Sequence, residues 1–456
     1  MINVTRREGF TLRIERILRE PNEHSLDIYL YVPGELGLNK HVVSEESFYH
    51  NGIHSRRTYF STKHELPLVH SRLAGKERMP TAQYRLSLSL YAYQYASALE
   101  KAVRAFRNGP DEMTLEHAER EVALIQSILR RLRRNAPDED ELRKYYNNID
   151  NYLSWFTEQQ LLSLVAHLPR NSVYAAIKSH VLAVCAEESR YRCGCRYNSE
   201  RAEDSPTRMS NKMRLLRRLI EYPVTLSDKP KELGGGEQRL VKAFATGLVM
   251  VFVTLVLVQA RYRLGDFTIW FIMILSVVYA LREVFKDELR NTIWRWLRKG
   301  RPKWRRHYRD PDSKQMVGRQ REWIDYKKPS KVDKAIQAAR GGRSVSHRQE
   351  VILHYRSRSR MLPTRFLSGY NQTRETITLD LGVLSKLMNK ESHHVYQVKD
   401  GQVSREKVER RYQLNLVVRS TQGDRTGDVQ RWKIVVNRSR IVDIEEVHIA
   451  SRKGRS

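Results

Sequence analysis

The sequence predicts an α+β membrane protein, and three observations carry that prediction. Residues 243–260 contain no charged side chain, and a second apolar run, 267–281, follows after six intervening residues. Strand-like runs bounded by turn residues lie toward the two ends of the chain, although residues 86–95 (LSLSLYAYQY) also alternate and could locally be strand. Helical periodicity fills residues 81–222 between them. The expected organisation is a β-rich N-terminal domain over 1–78, a helical bundle over 79–222, a linker over 223–238 and a two-helix transmembrane hairpin over 239–285. A basic juxtamembrane amphipathic helix and arm, 286–345, then leads to a small C-terminal α+β domain, 346–456, ending in an antiparallel meander.

At about 1.5 Å of rise per residue the first apolar run is roughly 27 Å long, close to the ~30 Å hydrocarbon core of a bilayer. The second run spans fully only with Asp266 and Arg282 at the interfaces and Val284 and Phe285 extending it. The competing reading is a buried hairpin in a soluble core, disfavoured because soluble helices of this length ordinarily keep a polar face. A six-residue connection is a tight turn, so both flanks should lie on one side of the membrane. The connection offers only Arg261 and Arg263, whereas the segment after the second run carries Arg282, Lys286, Arg290 and a dense basic stretch beyond. By the positive-inside rule both termini are expected in the cytoplasm, with the chain in the inner (cytoplasmic) membrane.

Charge points to anionic partners. Among 456 residues, 82 Lys and Arg outweigh 52 Asp and Glu, a net charge of +30 with a pI near 10.1. Half of the excess, +15, falls within residues 295–360. Lipid head groups, nucleic acid and acidic proteins are the partner classes this implies. Three cysteines, Cys185, Cys193 and Cys195, fit a reducing compartment without a disulfide framework. Thr5-Arg6-Arg7-Glu8-Gly9-Phe10 echoes a twin-arginine export signal, but no apolar stretch follows it.

Taken in order, residues 10–18 and 26–32 alternate and flank a Pro21-Asn22-Glu23 turn, which predicts a β-hairpin. His41, His50, His54, His64 and His70 invite a metal reading, although the Asn51-Gly52 pair between His50 and His54 reads as a turn rather than a helix. Leu88, Tyr91, Tyr95, Ala98, Ala102 and Phe106 keep helical spacing. Leu115, Ala118, Val122, Ile125, Leu129 and Leu132 form a short heptad seam, of coiled-coil type, that either packs within the bundle or forms a homodimer. Asp138-Glu139-Asp140-Glu141 fits a helix start, where carboxylates complement the dipole. A further helix from Ser172 leads into Cys193-Gly194-Cys195, a spacing unlike that of a zinc site. Met209, Met213, Leu216 and Ile220, among arginines, make an amphipathic helix that either joins the bundle or lies on the membrane surface.

After the hairpin, Phe285, Leu289, Ile293 and Leu297 predict a helix turning along the bilayer. Its membrane anchors should be Trp270, Trp294, Trp296, Leu297 and Trp304. Arg295, Arg298, Lys299 and Arg301 should face anionic head groups, together with Lys303, Arg305 and Arg306. Residues 301–343, broken by Pro302, Pro311, Pro329 and Gly341-Gly342, are expected to form a flexible arm with a short helix over 332–340. Strands are predicted at 376–381, 411–418, 429–436 and 441–447.

No phosphate-binding loop, HExxH, GxSxG or kinase signature is present, and no cofactor or metal is implied. The helix centres lack ionisable residues, which argues against a transporter. The expected function is a membrane-anchored scaffold or regulatory protein with protein partners. A membrane-tethered nucleic-acid-binding protein using the basic arm, and an enzyme with an unrecognised site, are the alternatives.

Overall fold

Strands from both ends of the chain, and from the stretch expected to be a linker, meet in the same β-sheets. The computed structural model describes residues 2–7, 9–19, 23–60, 80–108, 115–168, 174–264, 269–298, 300–341, 350–366, 370–389, 393–399, 402–423 and 427–448. In chain order the strands are β1 (Ile2–Arg6), β2 (Thr11–Arg19), β3 (His24–Val32), β4 (Ile53–Phe60), β5 (Ser227–Glu232), β6 (Trp304–Arg309), β7 (Met316–Lys327), β8 (Val351–Met361), β9 (Gln372–Asp380), β10 (His393–Lys399), β11 (Gln402–Val408), β12 (Tyr412–Gln422), β13 (Asp428–Val436) and β14 (Ile441–Val447). The helices longer than four residues are α1 (Glu45–Gly52), α2 (Thr81–Asn108), α3 (Leu115–Arg134), α4 (Asp140–His167), α5 (Ala175–Gly194), α6 (Pro206–Glu221), α7 (Gly235–Leu264), α8 (Ile269–Arg298) and α9 (Lys334–Arg340).

The protein is α+β, with helices and antiparallel sheets. A small sheet runs β1-β2-β9-β4 and a large one runs β14-β13-β12-β3-β8-β7-β6-β5, while β10 and β11 form a separate ribbon. The two sheets pack face to face. Leu12, Ile14, Ile377 and Leu379 of the small sheet share one core with Leu26, Leu30, Leu353, Leu416 and Ile434 of the large one. Alternation makes this so, because every second residue of a strand points to the same face. The opposite face of the large sheet is covered by α9, where Val332 and Ile336 meet Tyr29, Tyr31, Ile352 and Val417.

Helices α2 to α6 enclose a second core in the insertion between β4 and β5. Val122, Ile125, Leu129 and Leu132 of the heptad seam are buried in that core, so this side of α3 packs within the chain; the side chains of Leu115 and Ala118 lie outside the described residues. Met213 and Ile220 are buried there too, which makes α6 a bundle helix rather than a surface-lying one.

Several expectations are corrected. β2 and β3 do not form a hairpin; β2 pairs with β1 and β9, and β3 with β8 and β12. Each supplies a central strand to a different sheet, and the proposed turn at Pro21-Asn22 lies outside the described residues. The 223–238 linker contains β5, an edge strand where Pro230, lacking an N–H, is tolerated. His50-Asn51-Gly52 closes α1 instead of making a turn, with β4 beginning at Ile53. The arm expected over 301–343 contains β6, β7 and α9. Its strands were hidden because their buried positions carry Arg306, Gln320 and Glu322 where an apolar residue would have announced a strand.

Candidate functional site

Two regions bring functional side chains together: the root of the α7–α8 hairpin and a cleft between the small sheet and the bundle. The hairpin is inserted between β5 and β6, which are neighbours with Glu232 opposite Trp304. The chain therefore leaves and re-enters the body at one sheet edge. α7 buries Val241, Ala245, Val249 and Val253, four residues apart, while Val256 and Leu257 are half-buried and much of its other apolar surface is exposed. Phe244, Phe252 and Leu255 on α7 are 63–65% exposed, and Ile269 and Val284 on α8 are 78% and 68% exposed. Among the described residues one helix, Gly235–Tyr262, is long and apolar enough to cross a membrane.

The residues expected to anchor or face lipid divide into groups. Trp270 and Trp296 are exposed near opposite ends of α8. Trp294 and Leu297 are half-buried. Trp294 lies against Gly234, whose φ of +102° and missing Cβ, which would sit 3.0 Å from the indole, make room for it. Arg298 stacks on the same ring at 5.1 Å and faces Glu232, while Arg301 pairs with Glu237 at 3.3 Å. Trp304 is corrected outright: as the first residue of β6 it is 1% exposed and stacked on Tyr49 with ring centres 3.8 Å apart. Lys303 is engaged by Glu45 and Asp325, and Arg306 by Glu322 and Asp228, so neither guanidinium nor ammonium is left for head groups. Arg305 points out from β6 and is half-buried. Lys299 and the side chain of Arg295 lie outside the described residues, as do His64 and His70.

Arg306 belongs to a buried network between the sheets that the sequence did not disclose. Arg57 of β4 donates to Glu375 Oε1 at 2.6 Å and to Gln320 Oε1 at 3.0 Å. Arg16 of β2 takes the other Glu375 oxygen. Gln320 Nε2 donates to Glu322 at 2.9 Å, and Tyr355 donates to the same carboxylate at 2.7 Å. Arg306 completes the chain to Asp228 at 2.6 Å. Burial alone would raise the Glu375 carboxyl, but Arg16 and Arg57 outweigh it and hold its pKa down at about 2.

The cleft lies on the other face of the small sheet. Alternate positions form its floor: Thr11 and Arg13 on β2, Arg56 and Thr58 on β4, and Arg374, Thr376 and Thr378 on β9. Each helical wall offers one stripe at i, i+3, i+4 and i+7. α2 presents Tyr93, Ala96, Ser97 and Glu100, and α4 presents Tyr152, Trp155, Phe156 and Gln159. α6 presents Ser210, Met213, Arg214 and Arg217. The space enclosed is about 680 Å³.

Among the described residues seven arginines line this cleft against two glutamates, Glu100 and Glu221, while Glu15 beside it pairs with Arg13 at 2.5 Å. Glu221 is shared by Arg56 and Arg217, both at 2.7 Å. Burial lowers the Arg13 guanidinium, Glu15 partly restores it, and Arg7 and Arg217 push it down further. Arg214, Arg217 and Arg218 were visible in the sequence as the polar side of an amphipathic helix. That Arg13, Arg56 and Arg374 would join them was not, because strand pairing brings these together across more than 300 positions. Among the described residues no three His, Cys, Asp or Glu side chains come together as a metal site. No protein family, curated protein or solved structure matches this chain.

Proposed function

We propose that this is an integral membrane protein in which α7 and α8 enter the bilayer as a hairpin, holding a single large cytoplasmic body that acts as a scaffold or regulatory protein. The observation that carries this reading is the uncovered apolar surface of the hairpin. Rows of Phe, Leu, Ile and Val along both helices are left exposed among the described residues, and contiguous apolar surface of that extent marks a membrane or partner contact. Lipid is the favoured cover because α7 keeps residues 243–260 free of charge over about 27 Å. α8 meets its first charge at Arg282, about 20 Å from its start. That half of the hairpin crosses the core only with Arg282 and Lys286 extending toward the head groups.

Membrane entry through neighbouring strands has a consequence for topology. Because β5 and β6 are paired, both flanks of the hairpin must lie on the same side. Reporter fusions at residue 1 and residue 456 should both report cytoplasm, and an insertion at Gly265 should report the opposite side. A terminus reporting outside, or Gly265 reporting cytoplasm, would contradict a spanning hairpin. The nucleic-acid alternative rested on a free basic arm, and the strands and ion pairs of 303–327 leave less of that arm available.

A further inference from the structure

We propose that the cleft between the small sheet and the bundle binds a nucleotide carrying two or more phosphates, a property separate from membrane anchoring. Charge comes first. Seven arginines face two lining glutamates, Glu15 beside the floor pairs with Arg13 at 2.5 Å, and among the described residues no Asp or Lys lines the cleft, which leaves four positive charges in excess. Arg214 and Arg218 are exposed on α6 without a carboxylate partner among the described residues. Holding so many like charges in one concavity opposes folding unless a counter-charge arrives from outside. Guanidinium forks match phosphate oxygens in pairs, and the surplus corresponds to a di- or triphosphate rather than to a single-charge group.

The remaining lining selects the rest of the ligand. Tyr152 and Phe156 stack at 5.6 Å, and the half-buried Trp155 beside them also lines the cleft, an aromatic group suited to a flat ring. Gln159 and Gln160 carry both donors and acceptors suited to a base edge, and Thr58, Thr376 and Thr378 offer hydroxyls to the phosphates or sugar. A volume of about 680 Å³ lies within the range of small-ligand sites and suits one nucleotide better than a strand of them. Lipid is disfavoured by position. The cleft floor meets the chain just before β5, where Thr58 bridges Thr225, whereas the hairpin departs beyond the far end of β5. At roughly 3.3 Å per residue that strand separates the two by about 20 Å.

Calorimetry on the full-length protein in nanodiscs of zwitterionic lipid, at about 0.15 M salt, tests this with ATP and GTP as probes. At least one should bind saturably with a Kd on the order of 10 µM, and pyrophosphate at least tenfold more weakly. Replacing both exposed arginines, Arg214→Ser with Arg218→Ser, should weaken that binding at least tenfold while the unfolding midpoint stays in place. Trp155→Leu should weaken the nucleotide and leave pyrophosphate unchanged. Absence of saturable binding by either nucleotide up to millimolar concentration would overturn the proposal. So would unchanged affinity in the arginine variant, pyrophosphate binding as tightly as the nucleotide, or a twelve-nucleotide single strand binding more than tenfold tighter than either.

Discussion

The two faces of the small sheet carry the same residue types to opposite ends. On the inner face Arg16 and Arg57 meet Glu375, and across the core from it Arg306 of the large sheet meets Glu322 and Asp228, three arginines against three carboxylates. Over the outer face, strand residues Arg13, Arg56 and Arg374 join Arg7 and three arginines of α6 against Glu100 and Glu221, with Glu15 pairing Arg13 alone. The two sets interleave in sequence: Arg56 faces the cleft and Arg57 the core, Arg374 the cleft and Glu375 the core. The lesson is that charge count alone says little about purpose. A matched set shut away from water holds the sheets in one arrangement, whereas an unmatched set open to water is built for something else to complete it.

The largest effect should come from unbalancing the inner face. Glu375→Gln leaves two buried guanidinium groups short of their counter-charge and should cost about 3–5 kcal/mol, read as a lowered denaturation midpoint or loss of folded protein. A neutral outcome would show that the inner set is not structural. The same pair predicts an acid dependence. Because the folded pKa of Glu375 is depressed to about 2 from 4.5, its stabilisation is complete above about pH 4.5 and is lost as pH falls toward 2. The whole loss should be roughly 3 kcal/mol, measured as the unfolding midpoint against pH. A midpoint flat across that window would break the comparison from the inner side. The smallest effect belongs to the outer face. Arg218→Ser should change stability by less than about 0.5 kcal/mol, and a rise is the expected sign, since it removes repulsion without breaking an ion pair. A loss of 2 kcal/mol or more would mean that the cleft arginines are structural after all.

How much of this was legible depended on what each element buries. The last three strands stood out because Leu414 and Leu416 flank Asn415 and Trp432 and Ile434 flank Lys433, and β14 falls on the expected 441–447. The bundle helices were legible from apolar residues three and four apart. β6 and β7 were not, because their inward positions hold Arg306, Gln320 and Glu322, and a buried polar residue looks like a surface one until its partner is known. The division into an N-terminal and a C-terminal β region gave way for a related reason. β3 is completed by β8 and β12, some 330 to 390 positions away, and nothing in local periodicity records which strands will pair. The cleft followed the same pattern: its helical stripes were visible, and its floor was assembled by pairing.

One measurement bears most directly on the reading of a single body with a membrane hairpin set into one sheet edge. Leu233 donates its N–H to the Lys303 carbonyl at 2.8 Å, so a two-residue Asn-Gly turn can join them in place of residues 234–302. The shortened chain should leave the membrane fraction, remain soluble and unfold in one cooperative transition with mixed helix and strand by circular dichroism. The unmodified chain should resist alkaline carbonate extraction. A shortened chain that still sediments with membranes, or that is soluble but shows no cooperative transition, would contradict that architecture.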